Sequence, residues 1–333
     1  MKGAGPARCR ALLARRHGIG MARYILSRFG QALFVLWAAF TVSFVLLQSL
    51  PGDAVLIKFQ SPDYGLSPEQ LADIRAAYGA DGSFLHQYFH AVWNFLTGDF
   101  GYSLQAGVPV SSLLATNLPP SLLLAGAGFA VASILAVLIA IACNLSGFAW
   151  LRGLIQSIPS LFVSVPTFWL GIMLIQIFSF RLRLVPVINP GPWEGLFLPI
   201  LTVAVPISAP LAQILLKNID EVLTRPFVPV ARAKGLSHAK VLWRHVAKNT
   251  LLPVLTVAGL LFGELIASAV ITETVFGLNG IGGLTKQAVD SQDVAVLQAV
   301  VVIAATAFVV INLVVDLLYP VLDPRLKTKL GAA

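Results

Sequence analysis

The chain has 333 residues, 57% hydrophobic and 11% charged, with a mean hydropathy of +0.83; a soluble domain, with about 25% charged residues, covers its surface far better. The formal net charge of +8 does not argue for nucleic acid, because the basic residues flank apolar runs, where they set membrane orientation. Cys9 and Cys143 are the two cysteines, too far apart in sequence to suggest a disulfide framework or a thiolate metal site.

The twenty residues before Met21 are basic and rich in small side chains, and read as a disordered tail or the product of an upstream start codon. The first apolar run follows Arg23 and Arg28 as a signal peptide would. It is too long for one and lacks a small-x-small cleavage site, so it is expected to be a retained anchor. A helix needs about 20 residues to cross ~30 Å of hydrocarbon. By that measure six spans are expected: Phe29–Leu50, Leu118–Cys143, Leu154–Phe180, Leu196–Leu216, Leu251–Ile271 and Val294–Leu318. The expected organisation is a basic tail (1–28), a first span (29–50), an external subdomain (51–117), a permease core (118–318) with a loop at 217–250, and a C-terminal tail (319–333).

Six crossings put both termini on one side. The segments on that side carry seven Lys and Arg before Phe29, one at Arg152, seven in 217–250 and three after Tyr319, so 18 of the 23. The positive-inside rule then places both ends in the cytoplasm. Glu273, Asp290, Asp293 and most other acids fall on the outer side, whereas Arg181 and Arg183 are exceptions there.

Two polar segments exceed the length of ordinary connections. In the outer one, Ser67 and Gln70 form a capping-box pattern, and Tyr78, Phe84, Tyr88, Phe89, Trp93 and Phe95 supply rings enough for a small external subdomain with a docking surface. His86 and His90 would share a helix face, as zinc ligands can, but no third ligand stands nearby and no metal is assigned. The second segment, Lys217 to Thr250, carries a basic amphipathic pattern. A short helix before Gly235 could turn there and restart after Ser237, with Val241, Leu242 and Val246 on one apolar face. That face is expected to meet a protein partner or an anionic lipid surface.

Pro229-Val-Ala-Arg-Ala-Lys-Gly235-Leu and Arg244-His-Val-Ala-Lys-Asn-Thr-Leu-Leu-Pro253 resemble the cytoplasmic signature loop of ATP-binding-cassette (ABC) importer permeases. Only Ala231 and Gly235 fit the family's general pattern, and the run to Pro253 is longer; both departures are those of the peptide/nickel branch. Leu50-Pro51-Gly52-Asp53, Gly98-Asp99-Phe100-Gly101-Tyr102-Ser103, Glu273-Thr274-Val275-Phe276 and Asp323-Pro324-Arg325 look like further motifs of that branch, in its order, and the start resembles its first permease.

The resemblance implies an all-α integral membrane protein with six transmembrane helices in the type I ABC importer permease (MetI-like) fold. It implies a second homologous permease, two ATPase subunits, an external binding protein and surrounding membrane lipid as partners. No cofactor is expected on this chain; ATP and magnesium would act in the ATPases. Consistently, no Gly-x-x-x-x-Gly-Lys-Ser/Thr phosphate loop occurs. Location would be the bacterial inner membrane, and cargo a short peptide, with nickel or metal chelates, glutathione and opines as alternatives.

The coupling loop is expected to act through Ala231, Arg232, Lys234, Gly235, Leu236, Val241, Leu242 and Arg244. Here Gly235 permits the turn, apolar side chains fill a partner groove, and cations pair at its rim. Glu264, Pro166 and Gly263 are candidates for the translocation path; an ionised Glu264 facing lipid would cost at least about 2.5 kcal/mol, so it must face protein or water. Asp53, Asp99 and Tyr102 are candidates for external docking, and Asp316 for the inner interface. The main rival from another class is an ATP-independent secondary transporter or channel, whose paired broken helices and inverted repeats find no counterpart in an evident internal duplication. An intramembrane enzyme would need a catalytic pair inside the spans, and no histidine falls in one.

Overall fold

The structure is a computed structural model that describes residues 6–49, 83–186, 190–191 and 193–322, and every described element is helical. In chain order they are α1 (Pro6–Gln48), α2 (Phe84–Thr97), α3 (Val110–Leu145), α4 (Ala149–Ser164), α5 (Thr167–Leu174, continued by a π-helical stretch Ile175–Arg181), α6 (Glu194–Leu223), α7 (Phe227–Ala233), α8 (His238–Val241, continued by π-helical Leu242–Val246), α9 (Ala247–Phe276), α10 (Ile281–Asp290) and α11 (Val294–Leu322). Asp53 and the Ser67–Gln70 capping pattern lie outside the described residues.

Four helices are individually long and apolar enough to cross a membrane: Arg23–Gln48, Val110–Leu145, Glu194–Leu223 and Val294–Leu318. Two helix pairs, Ala149–Ser164 with Thr167–Arg181 and Pro253–Leu265 with Ser268–Phe276, raise the number to six if each pair is one span. The expected third span, Leu154–Phe180, is therefore not one rod: α4 and α5 meet at 100°. Pro166 causes the break. It has no amide to continue the ladder, and its ring drives Val165 out of the helical region, to φ −92° and ψ 119°.

Two boundaries also differ from expectation. The basic segment before Met21, expected as a disordered tail, continues α1 from Pro6; proline suits the first helical position, and Ala, Leu and Arg follow it. α3 begins at Val110 rather than Leu118, extending into the expected outer loop. It runs through Pro119 and Pro120, while Thr116 and Asn117 side chains hydrogen-bond carbonyls of the preceding turn.

The chain divides into two compact units. The first comprises Met1–Val35, Ala125–Ala267 and Ala307–Ala333. In it α6 is the central element, with Thr202, Val203, Ala204, Ile207, Ser208 and Ala209 buried in sequence. Its three prolines, Pro199, Pro206 and Pro210, stay inside the helix. Arg152 Nη2 reaches Asp220 at 2.8 Å, tying α4 to α6, and Arg28 Nη1 reaches Asp316 at 3.3 Å, tying α1 to α11. Asp316 is thus engaged inside the chain.

The second unit comprises Leu36–Leu124 and Ser268–Thr306. Its core joins Val110 and Leu114 to Ile281, Leu284, Ala288, Val296, Ala299 and Val300. Phe95 and Phe100 pack on this cluster, and Phe95 also meets Phe40 edge-on at 5.0 Å.

Candidate functional site

The Lys217–Thr250 segment folds into a helical hairpin. α6 stops at Leu223, and Pro226 stands as the N-cap of α7, where its missing amide costs nothing. α7 ends in a left-handed turn: Gly235 has φ +82°, a conformation that side chains with a Cβ rarely adopt, and Leu236 N–H donates to the Ala231 carbonyl at 3.3 Å. Ser237 then caps α8 through its hydroxyl, 3.4 Å from the Lys240 amide. The turn and restart expected at Gly235 and Ser237 are both present.

What holds the hairpin is its own small core. Val222, Val228, Ala231, Val241 and Val246 are buried together, with Ile219, Leu223, Leu236 and Leu242 packed around them. Val241 has no exposed surface and Ala231 only 8%. The apolar face expected to enter a partner is therefore largely spent inside the chain, because two short helices and the end of α6 can bury it against each other. Arg232, Lys234, Gly235 and Arg244 remain exposed, and so do Val230 and Trp243. The last two were missed in the sequence; Val230 lies on the face of α7 away from Val228 and Ala231.

His238 fixes this hairpin to the end of α3. Its Nε2 lies 3.1 Å from the Asn144 carbonyl and its Nδ1 3.2 Å from Arg232 Nη2. The carbonyl needs a donor, so Nε2 carries the proton and Nδ1 accepts from the guanidinium. Beside it opens a cleft of about 500 Å³ lined by Arg225, Phe227, Val230, Lys234, Leu236 and His245, among others. Arg225 is paired with Glu221 at 3.3 Å, while Lys234 projects from the end of α7.

The residues singled out for a path stand on two elements, Pro166 before α5 and Gly263 with Glu264 on α9. Pro166 sits exposed at the start of α5, as the N-cap. Gly263 faces Phe308 of α11 so closely that a Cβ there would overlap the ring, and Gly259, one turn earlier, faces Val315 with a built Cβ at 3.1 Å. This is small-residue helix packing at four-residue spacing. Glu264, next to Gly263, is exposed.

In the second unit two buried carboxylates organise the loops. Asp293, 1% exposed, accepts from Ser103 Oγ at 2.6 Å and the Gln105 amide at 3.2 Å while capping α11 at the Val296 amide, 3.4 Å away. Glu273, 2% exposed, accepts from Ser121 Oγ and, at 2.6 Å, from the Gly282 amide at the start of α10. Ser121 Oγ in turn accepts from the Ile281 amide at 2.8 Å. A Cβ on Gly280 would overlap the Glu273 carboxylate, and one on Gly282 would overlap the Val270 backbone as well as that carboxylate, so a larger residue at either position displaces the network. Asp99 accepts from the Gly101 amide at 2.9 Å. Tyr102 forms an isolated bridge with Pro109 and is 47% exposed.

His86 and His90 stack with ring centroids 6.2 Å apart. Among the described residues, no three His, Cys, Asp or Glu side chains are grouped to hold a metal.

Residues 132–328 match the family model described as binding-protein-dependent transport system inner membrane component, and residues 21–125 match the corresponding N-terminal membrane component. The glutathione transport system permease protein GsiC of Escherichia coli K12 is 31% identical over 93% of this chain and 100% of its own length. GsiC of Salmonella typhimurium is 32% identical with the same coverage. Among solved structures, a chain of the inward-facing MetNI methionine ABC transporter superposes with a TM-score of 0.54 at 15% identity, covering 63% of this chain and 96% of the other. That likeness concerns the fold.

Proposed function

The chain belongs to the inner-membrane permease components of binding-protein-dependent ABC importers, within the peptide/nickel branch, and we propose that it forms half of a path for short peptides of the glutathione type. The relatives' full-length coverage supports that cargo class. In this proposal a second permease supplies the other half, an external binding protein delivers substrate, and two cytoplasmic ATPases drive the cycle with ATP and magnesium. Both termini and the α7–α8 hairpin lie in the cytoplasm, as the distribution of Lys and Arg supports.

The observation that carries the coupling assignment is the hairpin's buried core, Val222, Val228, Ala231, Val241 and Val246. A loop that spends its apolar residues on itself moves as one body with α6 and can pass a push from an ATPase to the spans. Contact with the ATPases then falls to the exposed Val230, Arg232, Lys234, Trp243 and Arg244. Ala231, Leu236, Val241 and Leu242 shape the hairpin from inside, and Gly235 permits its turn.

The test is copurification of the tagged chain from mild detergent, wild type against Arg232→Glu with Lys234→Glu. Loss of the ATPases with retention of the second permease is expected. Stoichiometric ATPases and undiminished ATP-driven uptake in the variant would reject the hairpin as coupling surface, and a chain that purifies alone and transports without ATP would reject the importer reading itself.

A further inference from the structure

α2 has no charged residue among its fourteen, Phe84 to Thr97. At about 100° per residue its side chains fall into three sectors. Phe84, Tyr88 and Phe95 point one way, toward α1: Phe84 meets Phe44 at 5.6 Å, Tyr88 meets Phe40 and Phe44 at 6.1 and 5.5 Å, and Phe95 meets Phe40 at 5.0 Å. His86, Gln87, His90 and Asn94 form a polar sector. Between these lies a stripe of Leu85, Phe89, Trp93 and Leu96, exposed by 64–77%. A large exposed apolar stripe marks a surface that something covers.

The depth at which α2 sits identifies what that is. Its ring contacts, the Tyr88–Thr41 hydroxyl pair at 2.7 Å and the Gln48–Gln87 bond at 2.7 Å place α2 alongside residues 40–48 of α1. Those residues are the final stretch, about 12 Å, of the apolar span Arg23–Gln48. On the same stretch of α1, Val42, Val45 and Leu46 are exposed as well.

Lipid-exposed backbone must satisfy its own polar groups, and α2 is closed at both ends. Ser83 Oγ caps the His86 amide at 3.4 Å, and Gly98 ends the helix at φ +83°, with the Asp99 amide bonding the Asn94 carbonyl at 2.8 Å. Trp93 is the residue type favoured at the membrane boundary.

We propose that α2 is a membrane-embedded interfacial helix: the Leu85, Phe89, Trp93 and Leu96 stripe sits among lipid acyl chains beside the end of α1, and the His86, His90 and Asn94 sector faces the headgroups and water. The segment expected to be a water-exposed docking subdomain is, over these residues, a foot in one leaflet. On the proposed topology that is the outer leaflet; the inference itself needs only the packing on α1.

The test uses the complete transporter in nanodiscs, with Cys9 and Cys143 replaced by serine and an environment-sensitive fluorophore on Leu85→Cys, Phe89→Cys, Trp93→Cys, Leu96→Cys, His86→Cys or His90→Cys. Stripe positions should lose emission to nitroxides on lipid acyl chains and be indifferent to aqueous iodide, with the reverse at His86 and His90. Iodide quenching along the stripe would show water, and protection from both quenchers would show a protein cover; either overturns the proposal. Should labelled variants fail to assemble, brominated lipids provide a label-free measurement. Wild type should lose more tryptophan emission to them than Trp93→Phe, and equal losses would also overturn the proposal.

Discussion

Ser121 and Glu273 stand 152 positions apart in sequence and share a hydrogen bond of 2.5 Å. The serine hydroxyl donates to the carboxylate and accepts from the Ile281 amide, while the carboxylate's other oxygen takes the Gly282 amide. One acidic side chain at the end of α9 thereby closes the turn into α10 and holds it to α3. Glu273→Gln turns one oxygen of this acceptor pair into an amide donor, which cannot bond both Ser121 O–H and Gly282 N–H as found. Losing a charge-assisted hydrogen bond from this network should cost about 1.5–3 kcal/mol. Thermal unfolding of the detergent-extracted complex should therefore shift down for Glu273→Gln and for Ser121→Ala, with the double variant falling short of the sum, since both changes break one network.

Gly263 and Phe308 yield a second prediction. The ring of Phe308 occupies the space a Cβ at 263 would need, so Gly263→Ala forces α9 and α11 apart or the ring out of place. Overpacking of this kind costs about 1–3 kcal/mol. Phe308→Leu frees room for that methyl group. The measurement is thermal stability of the two single variants and the double: Gly263→Ala should be the least stable, and Phe308→Leu should restore part of the loss when added to it.

That Gly263 packs against Phe308 could not be read from the sequence. Glycine in an apolar run signals a close approach without saying to what, and Phe308 lies in another helix. The four long spans were legible because hydropathy over twenty residues is a strong and purely local quantity. The break at Pro166 was not, since proline inside an apolar run is compatible with a mild kink, as Pro199, Pro206 and Pro210 show within α6. Val241 failed for a third reason. An apolar face on a short helix looks the same whether a partner or the chain itself covers it, and here Val222 and Val228 do. Glu273 was visible as part of a branch motif and Asp293 as a charge on one side of the membrane, but the bonds they make were not, because their partners, Ser121 and Ser103, are distant in sequence. By contrast Gly235 and Ser237 were readable, as turn and cap chemistry is written in adjacent residues.

The hairpin core allows structure to be separated from contact. Val241→Ala removes two methyl groups from a fully buried site and should destabilise the hairpin by about 2 kcal/mol, whereas Trp243→Ala deletes an exposed side chain and should leave stability within about 0.5 kcal/mol. If the coupling proposal holds, the two differ in another way. Trp243→Ala lowers substrate-stimulated ATP hydrolysis in the intact complex at unchanged thermal stability, while Val241→Ala lowers both. Normal stimulation in Trp243→Ala would remove that residue from the contact.

Glu264 carries the sharpest consequence for substrate. It is exposed on α9 within an apolar segment running from Pro253 to Leu265, where a carboxylate facing lipid would cost at least about 2.5 kcal/mol. A charge retained there needs water or a cation, and in the proposed importer a peptide's amino terminus could supply the cation. Glu264→Gln keeps the size and removes the charge. Uptake of a peptide with a free amino terminus should fall several-fold relative to its acetylated counterpart, measured in vesicles with the complete transporter at matched expression. Equal rates for both peptides in wild type and variant would remove Glu264 from charge selection. A parallel loss for both would mean that the side chain supports assembly rather than selecting charge.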